Sequence, residues 1–143
     1  MNTQQNTQQN KKFLELKQGD MVWTMLDDNY HRPLKEKKGS RPVVIISNHL
    51  THKHFGMAIV VPVTNQNFRP RANVAITSLT DLGINGYAEP YQVRTLDLKA
   101  RKYKYIGKIS DIELGEILGK LDVLISPESD KRLKSLFLCL KTL

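Results

Sequence analysis

The chain has 143 residues with a single cysteine, and its 22 lysines and arginines exceed its 14 acidic residues, giving a net charge of +8. This length predicts one compact domain with short appendages. No apolar run reaches the roughly 18 residues that a membrane-spanning helix requires, and the first ten residues are too polar for a signal peptide. We therefore expect no membrane role, a cytoplasmic location, and polyanions such as nucleic acid or an acidic protein as partners. The lone Cys139 agrees with a reducing compartment.

Residues 1–10 repeat a polar Asn-Thr-Gln-Gln pattern and contain no apolar residue after Met1. Such a segment cannot bury enough surface to offset the entropy of ordering. We predict a disordered polar tail over residues 1–12, with the folded domain beginning at Phe13.

From Asp20 to Ser110 short apolar or β-branched runs alternate with turn residues, which predicts β-strands. The predicted strands cover residues 21–25, 42–47, 57–64, 73–77, 86–89, 91–96 and 101–107. Strands this short and closely spaced favour a small, strongly curved antiparallel barrel.

Helical signals are confined to the end of the chain. Ser110 and Glu113 have the spacing of a capping box, and apolar residues at helical spacing follow as far as Ile125, before Pro127. A second amphipathic helix is predicted from Ser129 through the end of the chain. The predicted fold is α+β, with a folded domain over residues 13–126 and a short helical extension over residues 127–143.

Four motifs occur in order along the chain. They are Gly-Asp-Met-Val-Trp at 19–23, Gly-Ser-Arg-Pro-Val-Val-Ile at 39–45, Val-Val-Pro-Val-Thr-Asn-Gln at 60–66, and Gln-Val-Arg-Thr-Leu-Asp at 92–97. Each motif alone is weak, but the ordered set resembles the MazF/PemK family of toxins across residues 17–126.

This resemblance implies an SH3-like antiparallel β-barrel that associates as a homodimer. It implies the toxin of a type II toxin–antitoxin system, a sequence-specific endoribonuclease that cuts single-stranded RNA without a metal or other cofactor. It also implies an acidic antitoxin whose C-terminal segment covers the RNA groove.

Two site residues follow from the resemblance, Arg41 of the Gly-x-Arg-Pro motif and Thr64 of the Pro-x-Thr motif. Metal-free cleavage proceeds by attack of a 2′-hydroxyl on the adjacent phosphate, so the site must stabilise negative charge and move two protons. The guanidinium of Arg41 suits the charge but not proton removal, because it is always protonated. We therefore assign Arg41 to charge stabilisation and Thr64 to positioning.

The proton carriers stay open between two residues of the loop before the second strand, His31 and Glu36. In PemK-type members an arginine and an aspartate precede the Gln-x-Arg-Thr motif, whereas this chain has Glu89 and Tyr91 there. This departure puts the usual catalytic set in doubt, although Tyr91 could stack on a base.

The residues predicted to bind RNA lie in the basic loop, after the third strand, and in the fourth motif. They are Lys35, Lys37, Lys38, Gln66, Asn67, Tyr91, Gln92 and Arg94. A second basic segment, residues 99–108, contains Tyr103 and Tyr105, which could stack on bases but which we favour as inward-facing strand residues.

His49, His52 and His54 have a spacing typical of a loop, with no cysteine or acidic ligand nearby, so we predict no metal site. Two other functions compete with RNA cleavage. One is DNA gyrase poisoning of the kind seen in CcdB-like toxins, which share the barrel. The other is a degenerate module that binds RNA without cutting it.

Overall fold

The computed structural model describes residues 10–27 and 39–129. Seven strands form one sheet: β1 (Asp20–Met25), β2 (Ser40–Ile45), β3 (Ala58–Thr64), β4 (Val74–Ile76), β5 (Gly86–Ala88), β6 (Arg94–Leu96) and β7 (Tyr103–Lys108). The helices are α1 (His49–Phe55), α2 (Leu98–Arg101) and α3 (Asp111–Ile125), and 3-10 turns span Phe13–Glu15, Thr80–Leu82 and Pro90–Gln92. No helix in these residues is long and apolar enough to cross a bilayer.

All pairs in the sheet are antiparallel, in the order β4-β5-β3-β2-β1-β7. Strand β3 is central to the sheet. Strand β2 pairs with one of its edges, while β6 pairs with the first half of the other edge and β5 with its end. The sheet curls into a half-barrel with α3 after its last strand, so the predicted α+β barrel fold with a C-terminal helix is confirmed.

Apolar side chains cover both faces of the sheet, as expected for strands without strict alternation. On one face Val44, Val61 and Val63 pack with the apolar side of α3, including the fully buried Ile117. On the other face Val43 and Val60 pack with residues of the amino-terminal turn and with Leu98 of α2. Tyr103 and Tyr105 are half-buried against this second core, as favoured from the sequence.

Helix α3 begins at the predicted capping box and ends two residues before Pro127. The Ser110 hydroxyl accepts a hydrogen bond from the Glu113 amide, and the Glu113 carboxylate accepts one from the Ser110 amide. The same carboxylate accepts hydrogen bonds from the Thr77 amide at 2.7 Å and from the Ser78 hydroxyl. Glu113 therefore caps its own helix and fastens it to the segment that follows β4.

The histidine segment is a helix, so its assignment to a loop was wrong. Asn48 caps α1 by accepting a hydrogen bond from the Thr51 amide at 3.1 Å, and Gly56 ends the helix in a left-handed conformation. Both signals are typical of helix termini and outweigh the β-branched and histidine content of the segment.

Two predicted strands begin two or more residues later than expected. The strand predicted over 91–96 is preceded by the 3-10 turn Pro90–Gln92, because proline at its first position fixes φ in the helical range. The strand predicted over 101–107 begins at Tyr103, because the Asp97 side chain caps α2 by accepting from the Ala100 amide.

Asn10, three residues before the predicted start of the domain, already contacts the sheet. The Asn10 side-chain amide donates to the Tyr103 carbonyl at 2.8 Å, and its oxygen accepts from the Tyr105 amide at 2.9 Å. The Tyr103 hydroxyl also donates to the Lys11 carbonyl. This segment therefore lies along the outer edge of β7. The rest of the predicted tail, the second helix and Cys139 lie outside the described residues.

Candidate active site

A groove of about 300 Å³ lies where β2 begins and β3 ends. Its apolar part is formed by four side chains, three of which belong to or pack on the core under α3: Trp23, Pro42, Val63 and Ile84. Trp23 and Pro42 are directly opposite each other in the β1–β2 pair. The groove therefore has an apolar floor supported by the core.

Arg41 and Thr64, which the resemblance assigns to one site, both line this groove. Arg41 is exposed and Thr64 is half-buried. Ser40, Asn65 and Asn85 complete the polar part of the lining. An exposed guanidinium beside a hydroxyl and two amides can bind a phosphate and present hydrogen-bonding groups to what is attached to it.

The Thr64 hydroxyl is oriented by its own chain. Its oxygen accepts a hydrogen bond from the Gln66 amide at 3.3 Å. With that contact satisfied, the hydroxyl proton is available for a phosphate oxygen or for the attacking hydroxyl. This geometry suits the positioning role assigned to Thr64.

Residues 83–85, which the sequence did not single out, complete the lining of the groove. Gly86 lets β5 approach β3 so closely that a Cβ there would lie 2.8 Å from the Thr64 carbonyl oxygen. The Thr80 hydroxyl lies 3.2 Å from the Asn85 side-chain oxygen, and Gly83 is left-handed at φ +76. Glycines at 83 and 86 were the signal of a tight loop.

The turn that contains Tyr91 and Gln92 holds a hydrogen-bonded cluster of its own. The Tyr91 hydroxyl donates to the buried Glu89 carboxylate at 2.7 Å, and the Gln92 amide lies 3.4 Å from the same oxygen. Arg69 covers one face of the Tyr91 ring at 4.7 Å. Base stacking on Tyr91 would therefore have to use the other face of its ring. Neither Tyr91 nor Gln92 lines the groove.

Arg94 also lies away from the groove lining. Its guanidinium donates to the Leu26 carbonyl at 2.6 Å, at the end of β1. Arg101 donates to the neighbouring Met25 and Asp27 carbonyls at 3.1 and 3.0 Å, and the Leu26 amide donates to the Gly39 carbonyl. The Leu26–Gly39 hydrogen bond closes the loop between β1 and β2, and the two arginines hold the β1 end of that loop.

The remaining predicted site residues divide into two groups. Gln66 and Asn67 directly follow the groove residues of β3, and the Asn67 oxygen accepts from the Asn73 side chain at 3.1 Å. The other group lies outside the described residues, in the loop between β1 and β2: His31, Glu36, Lys35, Lys37 and Lys38.

The three histidines of α1 differ in environment. His52 is buried with its Nε2 2.6 Å from the Ser47 hydroxyl, whereas His49 and His54 are exposed. Burial lowers the pKa of His52, which favours a neutral imidazole within the core. Across residues 10–27 and 39–129, no group of three potential metal ligands comes together.

Residues 17–125 match the family of PemK-like, MazF-like toxins of type II toxin–antitoxin systems. The chain is also 34% identical to the endoribonuclease PemK of Escherichia coli over 94 residues, which are 64% of this chain and 70% of that protein.

Solved structures give the same fold. MazF from Deinococcus radiodurans superimposes with a TM-score of 0.66 at 23% identity, covering 78% of this chain and 97% of that one. An endoribonuclease in complex with its cognate antitoxin, from a mycobacterial species, gives a TM-score of 0.62 at 20% identity, covering 78% of this chain and 97% of that one.

Proposed function

Because this chain belongs to the PemK-like, MazF-like family of toxins of type II toxin–antitoxin systems, we propose that it is a metal-independent endoribonuclease. Its substrate is single-stranded RNA, cut at a defined sequence. The observation that carries the proposal is the groove lined by both Arg41 and Thr64, a cation for phosphate beside an oriented hydroxyl.

In the proposed reaction a 2′-hydroxyl attacks the adjacent phosphorus, and the bond to the 5′-oxygen breaks. The products are a 2′,3′-cyclic phosphate and a free 5′-hydroxyl. Arg41 stabilises the charge that builds on the phosphate oxygens, and Thr64 orients one of them or the attacking hydroxyl. His31 and Glu36 are the candidates for removing and returning the proton, and no cofactor takes part.

Three further properties belong to this proposal. The net charge of +8 favours both RNA and an acidic antitoxin, which would compete for the basic surface around the groove. The active form is a homodimer, as the family implies. The protein acts in the cytoplasm, where its RNA substrate is found. Nothing among the relatives supports the gyrase-poison alternative.

The test is a cleavage assay on single-stranded RNA in excess EDTA, with the product ends mapped. We expect defined cuts that carry cyclic phosphate, and a loss of at least about 100-fold in rate for Arg41→Ala, as for removal of one group that stabilises the transition state. Lys53→Ala removes one exposed positive charge from α1, outside the groove, and should cut normally.

Intact RNA with the unaltered protein would overturn the enzyme assignment. Normal cutting by Arg41→Ala would instead overturn the role given to this residue. Binding without cleavage would favour the degenerate RNA-binding module.

A further inference from the structure

We propose that Trp23 is the stacking platform for one nucleobase of the bound RNA, with Arg41 on the adjoining phosphate and Asn85 at the edge of the base. This inference rests on the proposed function, because it deepens the use of the same groove. It concerns a residue that the motif comparison treats only as part of an opening strand.

The first argument is the position of Trp23. Its side chain lines the groove together with Arg41 and Thr64, and it is half-buried on the core beneath. A tryptophan supported from below and accessible from the groove presents a rigid aromatic face. Proteins that bind single strands use such faces, because every base can stack on them.

The second argument is the size and polarity of the groove. About 300 Å³ is at the small end of ligand pockets, so the groove suits one base rather than a longer ligand. Pro42 lies opposite Trp23 on β2, and Val63 and Ile84 complete the apolar floor. A flat, largely apolar ring fits this apolar part of the lining, while a phosphate would lie at Arg41.

The third argument is the charge around Trp23. Lys104 on β7 is directly opposite Trp23 in the β1–β7 pair and is exposed, and Arg41 follows Ser40 at the start of β2. Lys104 therefore flanks Trp23 on β7, while Arg41, which is opposite the next residue Thr24, lines the same groove. Two cations near the groove match a stacked base whose neighbouring phosphates are negatively charged.

The fourth argument is the pair of side-chain amides at the rim. Asn65 and Asn85 are both exposed and line the groove. Each amide offers a donor and an acceptor, the combination that reads the hydrogen-bonding edge of an unpaired base. Asn85 is fixed by the tight approach of β5 to β3 and by the Thr80 hydroxyl, which makes it the better-placed reader.

Trp23 is the only tryptophan of the chain, so its fluorescence reports directly on the groove. The protein would be titrated with four 2′-O-methyl RNA octamers, each made of one base, which cannot be cut because the 2′-oxygen is blocked. We expect at least one octamer to quench the emission. Arg41→Ala should weaken binding of the same octamer.

Cleavage kinetics of Trp23→Leu and Trp23→Phe provide the second measurement. We expect Trp23→Leu to raise KM by about tenfold, the effect of losing one stacked base, with a smaller change in kcat. Trp23→Phe keeps a flat ring and should recover much of the loss. Tyr105→Leu is the matched control, because Tyr105 is a half-buried aromatic residue on β7, the strand paired with β1, and does not line the groove.

The outcomes separate this inference from the proposed function. Cleavage by the unaltered protein, with no quenching by any octamer and an unchanged KM in Trp23→Phe and Trp23→Leu, would overturn the stacking role alone. Quenching without any cleavage would support the stacking role and overturn the endoribonuclease. A Trp23→Leu protein that fails to fold leaves Trp23→Phe and the titration to decide.

Discussion

Gly86 determines how closely β5 approaches β3, and through that the shape of the groove. A Cβ at this position would lie 2.7 Å from the Val63 Cγ1 atom and 2.8 Å from the Thr64 carbonyl oxygen. Both distances are shorter than a relaxed contact, and the carbonyl belongs to a strand paired on both edges. Glycine is therefore required here for space, not for a positive φ.

For Gly86→Ala we expect the free energy of unfolding to fall by about 2 kcal/mol, as for other overpacked sites. Cleavage should slow as well, because residues 83–85 move with β5. Urea denaturation and the cleavage rate measure the two effects. Gly119→Ala is the control: its Cβ would meet no atom within 4 Å on α3, and helix propensity predicts a gain of up to about 1 kcal/mol. An equally stable and active Gly86→Ala protein would contradict this account.

The sequence could predict part of the site at this scale. Arg41 and Thr64 belong to motifs, and the structure brings them to one groove. Asn85 belongs to no motif, since it reaches the groove only because of the approach that Gly86 allows. Arg94 does belong to a motif, but the motif cannot reveal that its guanidinium binds the Leu26 carbonyl, 68 residues away in the chain.

Among the elements, α3 was predicted from local signals and found where expected. Its capping box depends on residues three apart, which a sequence shows directly. The second role of Glu113 depends on Thr77 and Ser78, which are 36 and 35 residues away, and only the folded chain reveals it. Burial raises the pKa of Glu113, but the hydrogen bonds from Ser78, Thr77 and Ser110 outweigh it, so the pKa lies below the ordinary 4.5.

A lowered carboxyl pKa means that the folded state favours the carboxylate. Its contribution is full above the ordinary 4.5 and is lost as the pH falls through the lower pKa of the folded state. Glu113→Gln should lower the free energy of unfolding by about 2 kcal/mol at pH 7, the scale of hydrogen bonds to a charged group. The difference from the unaltered protein should narrow below pH 4.5.

Denaturant unfolding from pH 7 to pH 3 measures this dependence. Glu116→Gln is the matched control, because Glu116 is exposed on the same helix, and it should change stability little at any pH. A difference for Glu113→Gln that stays constant over the whole range would show that the carboxylate charge is unimportant.

The elements that were missed lie where two local signals compete. In residues 91–96 the alternation favoured a strand, but Pro90 starts a 3-10 turn and leaves only Arg94–Leu96 extended. In residues 49–55 the histidines suggested a loop, while the Asn48 cap and Gly56 favoured the helix that forms. In both cases the residues that flank the segment determined the outcome.

For the whole molecule, the net charge of +8 predicts that RNA affinity depends strongly on salt. With about three phosphate contacts, the slope of log Kd against log salt is about 2, so affinity should fall about 20-fold between about 50 and 200 mM. Arg41→Ala should reduce the slope by about 0.7, the effect of one phosphate contact. Trp23→Leu should weaken binding at every salt concentration and leave the slope unchanged.

Fluorescence anisotropy with a labelled 2′-O-methyl octamer measures this slope. A Trp23→Leu slope that falls like that of Arg41→Ala would assign both residues to phosphate. Affinity that does not change with salt would contradict electrostatic binding altogether.

Asn10 pairs with β7 by an amide side chain instead of a strand, meeting the carbonyl of Tyr103 and the amide of Tyr105. Because β7 is the last strand in the sheet order, its outer groups would otherwise be a template on which strands of other molecules could grow. The Asn10 side chain thus occupies hydrogen-bonding groups of β7 with which a strand of another molecule could otherwise pair. A chain trimmed just past Asn10 would keep its core and groove, yet it would lose this protection in concentrated solution.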